Sequence, residues 1–255
     1  METVTLEVNE RIAYVTMNRA DKLNAVNLQM IQDLRAAFSE VERNPKIWLG
    51  ILTGNGRAFS TGHDLKMGNE GLERKDGLTP IDDLYVQLAG LSKPMIAACN
   101  GYCMAQGGGF ALLCDIRIAA EDCKFGWPQV KRGIASISGP SILAHGLPLG
   151  DVLKILFTGQ VLDAQEAYRL GMVQEIVPPD RLMARCTELA REICANAPLA
   201  VRAVKESTFR GLGIPDFRER VKAVSEIASR LGRTFDSREG LQAFAEKRKP
   251  AFRGE

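Results

Sequence analysis

The sequence predicts an α/β protein, with a mixed core over residues 1–195 and a helical region over residues 196–255. Three observations carry this. Strand-like and helix-like runs alternate through the first half of the chain. Several of the strand-like runs are apolar throughout, as strands covered on both faces are. After about residue 140 strand patterns nearly vanish and helical periodicity takes over.

In chain order, residues 3–8 and 12–17 alternate as β-strands around Asn9-Glu10-Arg11, which predicts a hairpin. Asn27 opens a helix: Met30, Ile31, Leu34, Ala37, Phe38 and Val41 recur at three- and four-residue spacing, and Asn44-Pro45 ends it. Residues 47–52 form an apolar strand that enters the turn Thr53-Gly54-Asn55-Gly56. Strand, helix and strand in this order imply a right-handed parallel crossover. Residues 80–91 read as the next helix, and 95–99 and 116–119 as further buried strands. Helical patterns then cover 147–158, 164–170, 180–196, 198–209, 216–231 and 237–247, with one short strand at 174–177. Residues 68–76 are polar and glycine-broken, and are the expected mobile loop.

A chain of 255 residues is long enough for one large domain, or for a core with a smaller appendage. A net charge of +2 gives no sign of a nucleic-acid or membrane-surface partner. No run approaches the ~20 apolar residues of a membrane span. Residues 1–19 alternate like a strand rather than reading as a leader peptide. The six cysteines form no C-x-x-C pair and the chain has two histidines, so no metal site is expected and a reducing cytoplasm is the simplest compartment.

Residues 99–130 join an apolar strand to Gly107-Gly108-Gly109, a short apolar helix, Cys114-Asp115, a second strand and Phe125-Gly126-Trp127-Pro128. Four further motifs flank this stretch. Asn18-Arg19-x-x-Lys22-Leu23-Asn24-Ala25 and Phe59-Ser60-Thr61-Gly62-His63-Asp64-Leu65-Lys66 precede it. Leu156-Phe157-Thr158-Gly159, continued by Ala164-x-Glu166-Ala167 and Gly171-Met172-Val173, follows it, and Phe244-x-Glu246-Lys247-Arg248-Lys249-Pro250-x-Phe252 closes the chain. In this order the five resemble the crotonase (enoyl-CoA hydratase/isomerase) superfamily over nearly the whole length.

The resemblance implies a ββα superhelix with a C-terminal helical trimerisation region. It implies an enzyme of fatty acid metabolism that acts on acyl-CoA thioesters, with coenzyme A as part of the substrate and no other cofactor. It implies a homotrimer or dimer of trimers, and apolar faces within 147–157 and 221–231 suit such contacts. Lys22, Ala25, His63, Asp64, Leu65, Lys66, Gly108 and Trp127 are the implied substrate-binding positions. Lys247-Arg248-Lys249 is either a solvated end or an approach to the CoA phosphates. Trp127 lines the acyl pocket or packs the core.

The chemistry asks for two donors already aimed at the thioester oxygen as it becomes an enolate, and backbone N–H groups supply them without reorganising. By resemblance the first is the N–H of His63. The second is that of Gln106 if residues are counted back from Cys114-Asp115, or of Gly108 if the glycine triplet is aligned; Gly107 lies between. The ungapped count is preferred because Gly101-Tyr102 and Asp115 then stay in register.

Family hydratases use two glutamates. Here the first position falls on Gly109, or on Ala111 in the glycine count, and the second on Gln129; a third acid site falls near Ile137. None is acidic. Gln129 can orient a water but an amide cannot take its proton, so two-glutamate hydration is not expected. His63 carries either a backbone role alone, which is preferred, or a side-chain role in a decarboxylation that generates the enolate without a base. Decarboxylation, thioester hydrolysis on a water held by Gln129, and acyl-CoA binding without turnover are the alternatives to the hydratase/isomerase reading. Asp64 is expected to cap the turn that follows it, Asp115 to be structural, and His145 to sit on a helix surface.

Overall fold

A computed structural model describes residues 1–67 and 73–255. The hairpin forms as expected: β1 (Val4–Asn9) and β2 (Ile12–Met17) pair antiparallel, with Asn9 opposite Ile12. The two turn residues, Glu10 and Arg11, have φ of 48° and 71°, which matches a tight turn with both central residues left-handed. α1 (Leu28–Arg43) begins where Asn27 accepts the Met30 N–H at 3.0 Å. Its stripe of Met30, Ile31, Leu34, Ala37, Phe38 and Val41 is fully buried, each large side chain contributing about 1.5–3 kcal/mol.

The next stretches run β3 (Leu49–Gly54), β4 (Ala58–Ser60), α2 (Pro80–Ala89), β5 (Met95–Cys99), β6 (Tyr102–Met104), α3 (Gln106–Leu113), β7 (Ile116–Ala120) and β8 (Lys124–Gly126). After them come α4 (Ala144–Gly146), α5 (Leu149–Thr158), β9 (Val161–Asp163), α6 (Ala164–Arg169), β10 (Glu175–Val177), α7 (Leu182–Cys194), α8 (Pro198–Leu212), α9 (Phe217–Leu231) and α10 (Phe235–Glu246). The longer strands make a six-stranded sheet in the order β1-β2-β3-β5-β7-β10, parallel from β2 onward. The short ones make a second sheet, β4-β6-β8-β9. Each coil gives one strand to each sheet and a helix follows the first two of these strand pairs, which is a ββα spiral.

The four strands of the second sheet are three residues each and are absent from the sequence reading. Such runs are too short for a two-residue period to show. One side of the large sheet is covered by α1, α2 and α3, and a second apolar cluster joins Ile12, Leu49, Ile51, Ile96 and Ile118 to Leu182, Cys186 and Ala190 of α7. Asp115 is structural, as expected: its carboxylate accepts the Met95 N–H at 2.7 Å and the Lys205 ammonium of α8 at 2.8 Å. All six cysteines are free, and five are buried. Among the described residues no helix is long and apolar enough to cross a membrane.

Candidate functional site

β4 and β6 are neighbouring parallel strands, and each runs directly into one half of the predicted site. Beyond Ser60, the chain turns through Thr61 and Gly62 to His63. Val26 donates its N–H to the Gly62 carbonyl at 2.8 Å and accepts the Asp64 N–H at 3.0 Å, an isolated parallel bridge. Because peptide groups alternate sides along an extended chain, this pairing turns the His63 N–H the other way, toward the continuation of β6. Gly62 is required there. Its φ is +88°, and a Cβ would stand 3.0 Å from both the Gln106 nitrogen and the Ala105 Cβ.

Ala105 follows β6 with φ 50° and ψ −113°, a conformation that costs an L residue about 1–3 kcal/mol unless its surroundings impose it. They do. Its N–H donates to the Gly126 carbonyl at 2.8 Å, and its carbonyl accepts the Gly109 N–H at 3.0 Å and the Ser138 hydroxyl at 3.1 Å. α3 starts at Gln106. The N–H groups of Gln106, Gly107 and Gly108 precede the first bond of the helical ladder, at the end where the helix carries partial positive charge. Strands in a sheet lie about 4.7–4.9 Å apart. His63 and Gln106 each follow one of the two adjacent strands β4 and β6, and Gly62 brings the two segments into contact.

The glycine triplet is a packing device as well. A Cβ on Gly107 would lie 2.4 Å from the Ser60 carbonyl oxygen, and one on Gly108 2.8 Å from the Trp127 ring. At Gly109 it would lie 2.8 Å from the Ser138 Cβ and 2.9 Å from the Tyr85 hydroxyl. The place from which a first glutamate would project is thus filled by two hydroxyl-bearing residues. Tyr85, on α2, stacks its ring 5.1 Å from that of Phe110 and donates its hydroxyl to the Gln106 carbonyl at 3.3 Å. Burial pushes its phenol up, so it stays neutral.

Trp127 is 1% exposed. Its ring lies beneath Gly108 and its indole N–H donates to Ser138 at 3.0 Å, so of the two readings it takes the core one while touching the site from below. Gln129 lies in the turn Pro128–Arg132. Its side-chain oxygen, like that of Gln106, is buried with no hydrogen-bond partner among the described residues. Ala111 is buried inside α3, and Ile137 is 51% exposed. No acid stands at any of the four positions.

Asp64 accepts the Lys66 N–H at 3.2 Å, as a cap of the turn Leu65–Met67. It also pairs with Arg19 at 3.1 Å, and the same guanidinium donates to the Ala25 carbonyl. Burial raises the Asp64 carboxyl, but the Arg19 and Lys66 hydrogen bonds and the charges of Arg19 and His63 outweigh it, leaving the carboxyl below its ordinary value. Lys22 is exposed beside Asp21 at 3.3 Å, and Leu65 and Lys66 are also exposed. The structure therefore gathers His63, Gln106, Gly107, Gly108 and Trp127, ties Ala25 and Asp64 to them through Arg19, and leaves Lys22, Leu65 and Lys66 on the rim. The loop 68–76 falls partly on residues 68–72, outside the described residues. A cavity of about 770 Å³ between the ends of β2 and β3 and the start of α7 contains none of these side chains. Sequence reasoning missed Tyr85 and Ser138. Tyr85 reads as one more apolar position of α2, and Ser138 has only its place beside Gly139 to mark it.

A ββα spiral of stacked strand pairs and helices is the crotonase class of fold. The chain matches the family model for enoyl-CoA hydratase/isomerase over residues 7–255. It is 35% identical to the (E)-benzylidenesuccinyl-CoA hydratase of Thauera aromatica, over 98% of this chain and 99% of that protein. It is also 35% identical to the short-chain-enoyl-CoA hydratase of Clostridium acetobutylicum, over 98% and 97%. The solved enoyl-CoA hydratase of Bacillus anthracis superimposes with a TM-score of 0.93 at 29% identity, covering 99% of this chain and 100% of that one. The chain belongs to the enoyl-CoA hydratase/isomerase family of the crotonase superfamily, whose acyl-CoA chemistry its relatives' names describe.

Proposed function

We propose that the chain binds an acyl-CoA thioester with its carbonyl oxygen between the N–H groups of His63 and Gln106, and stabilises the enolate that forms there. The observation that carries this is the contact of Gly62 with the first N–H of α3, at 3.0 Å from a would-be Cβ. One such donor contributes about 2.7–4 kcal/mol to a transition state. Gln129, with its buried side-chain oxygen lacking a partner among the described residues, orients the water or polar acyl group that reacts. Ala25 and the rim residues Lys22, Leu65 and Lys66 meet the coenzyme A portion, and no further cofactor takes part. Second copies of this chain cover the apolar side chains left exposed on α8, α9 and α10.

Hydration is the default reaction, from the names of the relatives. The filled space at Gly109 and the amide at Gln129 favour a second reading, in which the enolate arises without a protein carboxylate. Loss of CO2 from a malonyl-type thioester does this, with His63 beside the departing group. Mass spectrometry of purified protein with crotonyl-CoA and with methylmalonyl-CoA separates the two. Gain of one water by crotonyl-CoA, weakened in Gln129→Ala, supports hydration. Loss of CO2 from methylmalonyl-CoA that vanishes in His63→Ala, with crotonyl-CoA untouched, supports decarboxylation. Failure to bind or convert either thioester overturns the proposal.

A further inference from the structure

We infer that Ser138 is a positioning residue for the enolate site, acting through the peptide bond that carries the Gln106 N–H; this rests on the reading given under Proposed function. The peptide between Ala105 and Gln106 has two ends. Its N–H is the one that abuts Gly62. Its carbonyl, on Ala105, accepts the Ser138 hydroxyl at 3.1 Å and the Gly109 N–H at 3.0 Å. Ser138 is 2% exposed, so its single proton has few places to go.

Trp127 fixes one side of this hydroxyl. An indole N–H can only donate, and it donates to the Ser138 oxygen at 3.0 Å. Ser138 is therefore an acceptor on that side, and the Ala105 carbonyl, which can only accept, takes its proton at 3.1 Å, with the Tyr85 hydroxyl the other group in hydrogen-bonding reach of Ser138. The result is a directed chain from indole to hydroxyl to carbonyl, ending in the amide N–H that would meet the substrate. A hydrogen bond accepted at one end of an amide polarises the N–H at the other, by ~10–30% per bond. The chain also holds Ala105 at its positive φ, which aims the Gln106 N–H. Tyr85 acts in the same sense one peptide further on, donating to the Gln106 carbonyl whose peptide carries the Gly107 N–H.

The absent glutamate and the present serine are one feature. A side chain at Gly109 would collide with Ser138 and Tyr85, so this chain has a buried hydroxyl pair behind its donors where family hydratases carry an acid. That arrangement strengthens the hold on the thioester oxygen and leaves the proton work to other groups.

The test reads the donors directly. Butyryl-CoA and 3-phenylpropanoyl-CoA, each carrying 13C at the thioester carbonyl, lack a double bond to hydrate and serve as unreactive probes. On the wild-type protein the bound carbonyl resonance is expected downfield of the free one, as polarisation of the C=O requires. Ser138→Ala is expected to bind with affinity within about threefold, to lose half or more of that shift, and to lower turnover of whichever acyl-CoA the enzyme converts roughly tenfold in kcat with KM little changed. Ser138→Ala with the full shift overturns the inference and leaves the enolate-site reading intact. No shift on the wild-type protein, or no binding of either probe, overturns both. If Ser138→Ala does not fold, Trp127→Phe decides: a reduced shift supports the chain and an unchanged one overturns it.

Discussion

Gly109 illustrates how much a single missing side chain can report. A glutamate placed there meets the Ser138 Cβ at 2.8 Å and the Tyr85 hydroxyl at 2.9 Å. Gly109→Glu is therefore expected to cost about 1–3 kcal/mol as overpacking, measured by urea unfolding, and to gain no hydratase activity. Gly107→Ala is expected to be worse, since its neighbour is the Ser60 backbone oxygen rather than a movable side chain. Asp64 gives a prediction in pH. Its carboxyl is held below the ordinary value of 3.8, so its contribution is complete above about pH 5 and is lost as acid titrates it through the lower folded value. The stability difference between the wild-type protein and Asp64→Asn is expected to be largest near neutral pH and to shrink below about pH 4. A difference constant from pH 7 to pH 3 would contradict the Arg19 pairing.

Among the elements, those with long periods and explicit end signals were legible. α1 could be read to within two residues because Asn27 caps it and six apolar side chains share one face. Asn27→Ala is expected to lower stability by about 1 kcal/mol in thermal or urea melts. β5 was readable because all five of its residues are apolar and buried. What resisted reading was the second sheet. Its strands are three residues long, so the evidence for β4 or β6 lies in hydrogen bonds to strands far away in sequence. The two segments proposed as donors were picked out by likeness to a family and not by periodicity. The ungapped count already preferred Gln106 over Gly108, and the start of α3 at Gln106 with Gly62 against its nitrogen supports that preference. Ser138 was invisible because its role depends on Trp127 and Ala105, which only the fold brings to it.

At the scale of the whole molecule, Phe209, Leu212, Phe217, Leu241 and Phe244 are left 60–86% exposed on the C-terminal helices. Single exposed apolar residues are ordinary, and these five, spread over α8, α9 and α10, are the ones that the proposed second copies would cover. Sedimentation is expected to give a particle of three or six times 27.9 kDa, and Phe244→Asp with Leu212→Asp to shift it toward the single chain. A wild-type monomer at micromolar concentration would remove that expectation. The alignment of β4 beside β6 has a last consequence. On the proposed reading, the two donor peptides are placed by the pairing of β4 with β6 rather than by the loops that would wall an acyl group. On that reading, recognition of the one atom every thioester presents is uncoupled from recognition of the chain attached to it. Such a site would let substrate breadth drift through changes in the outer walls while the proposed donors stay where the strands put them.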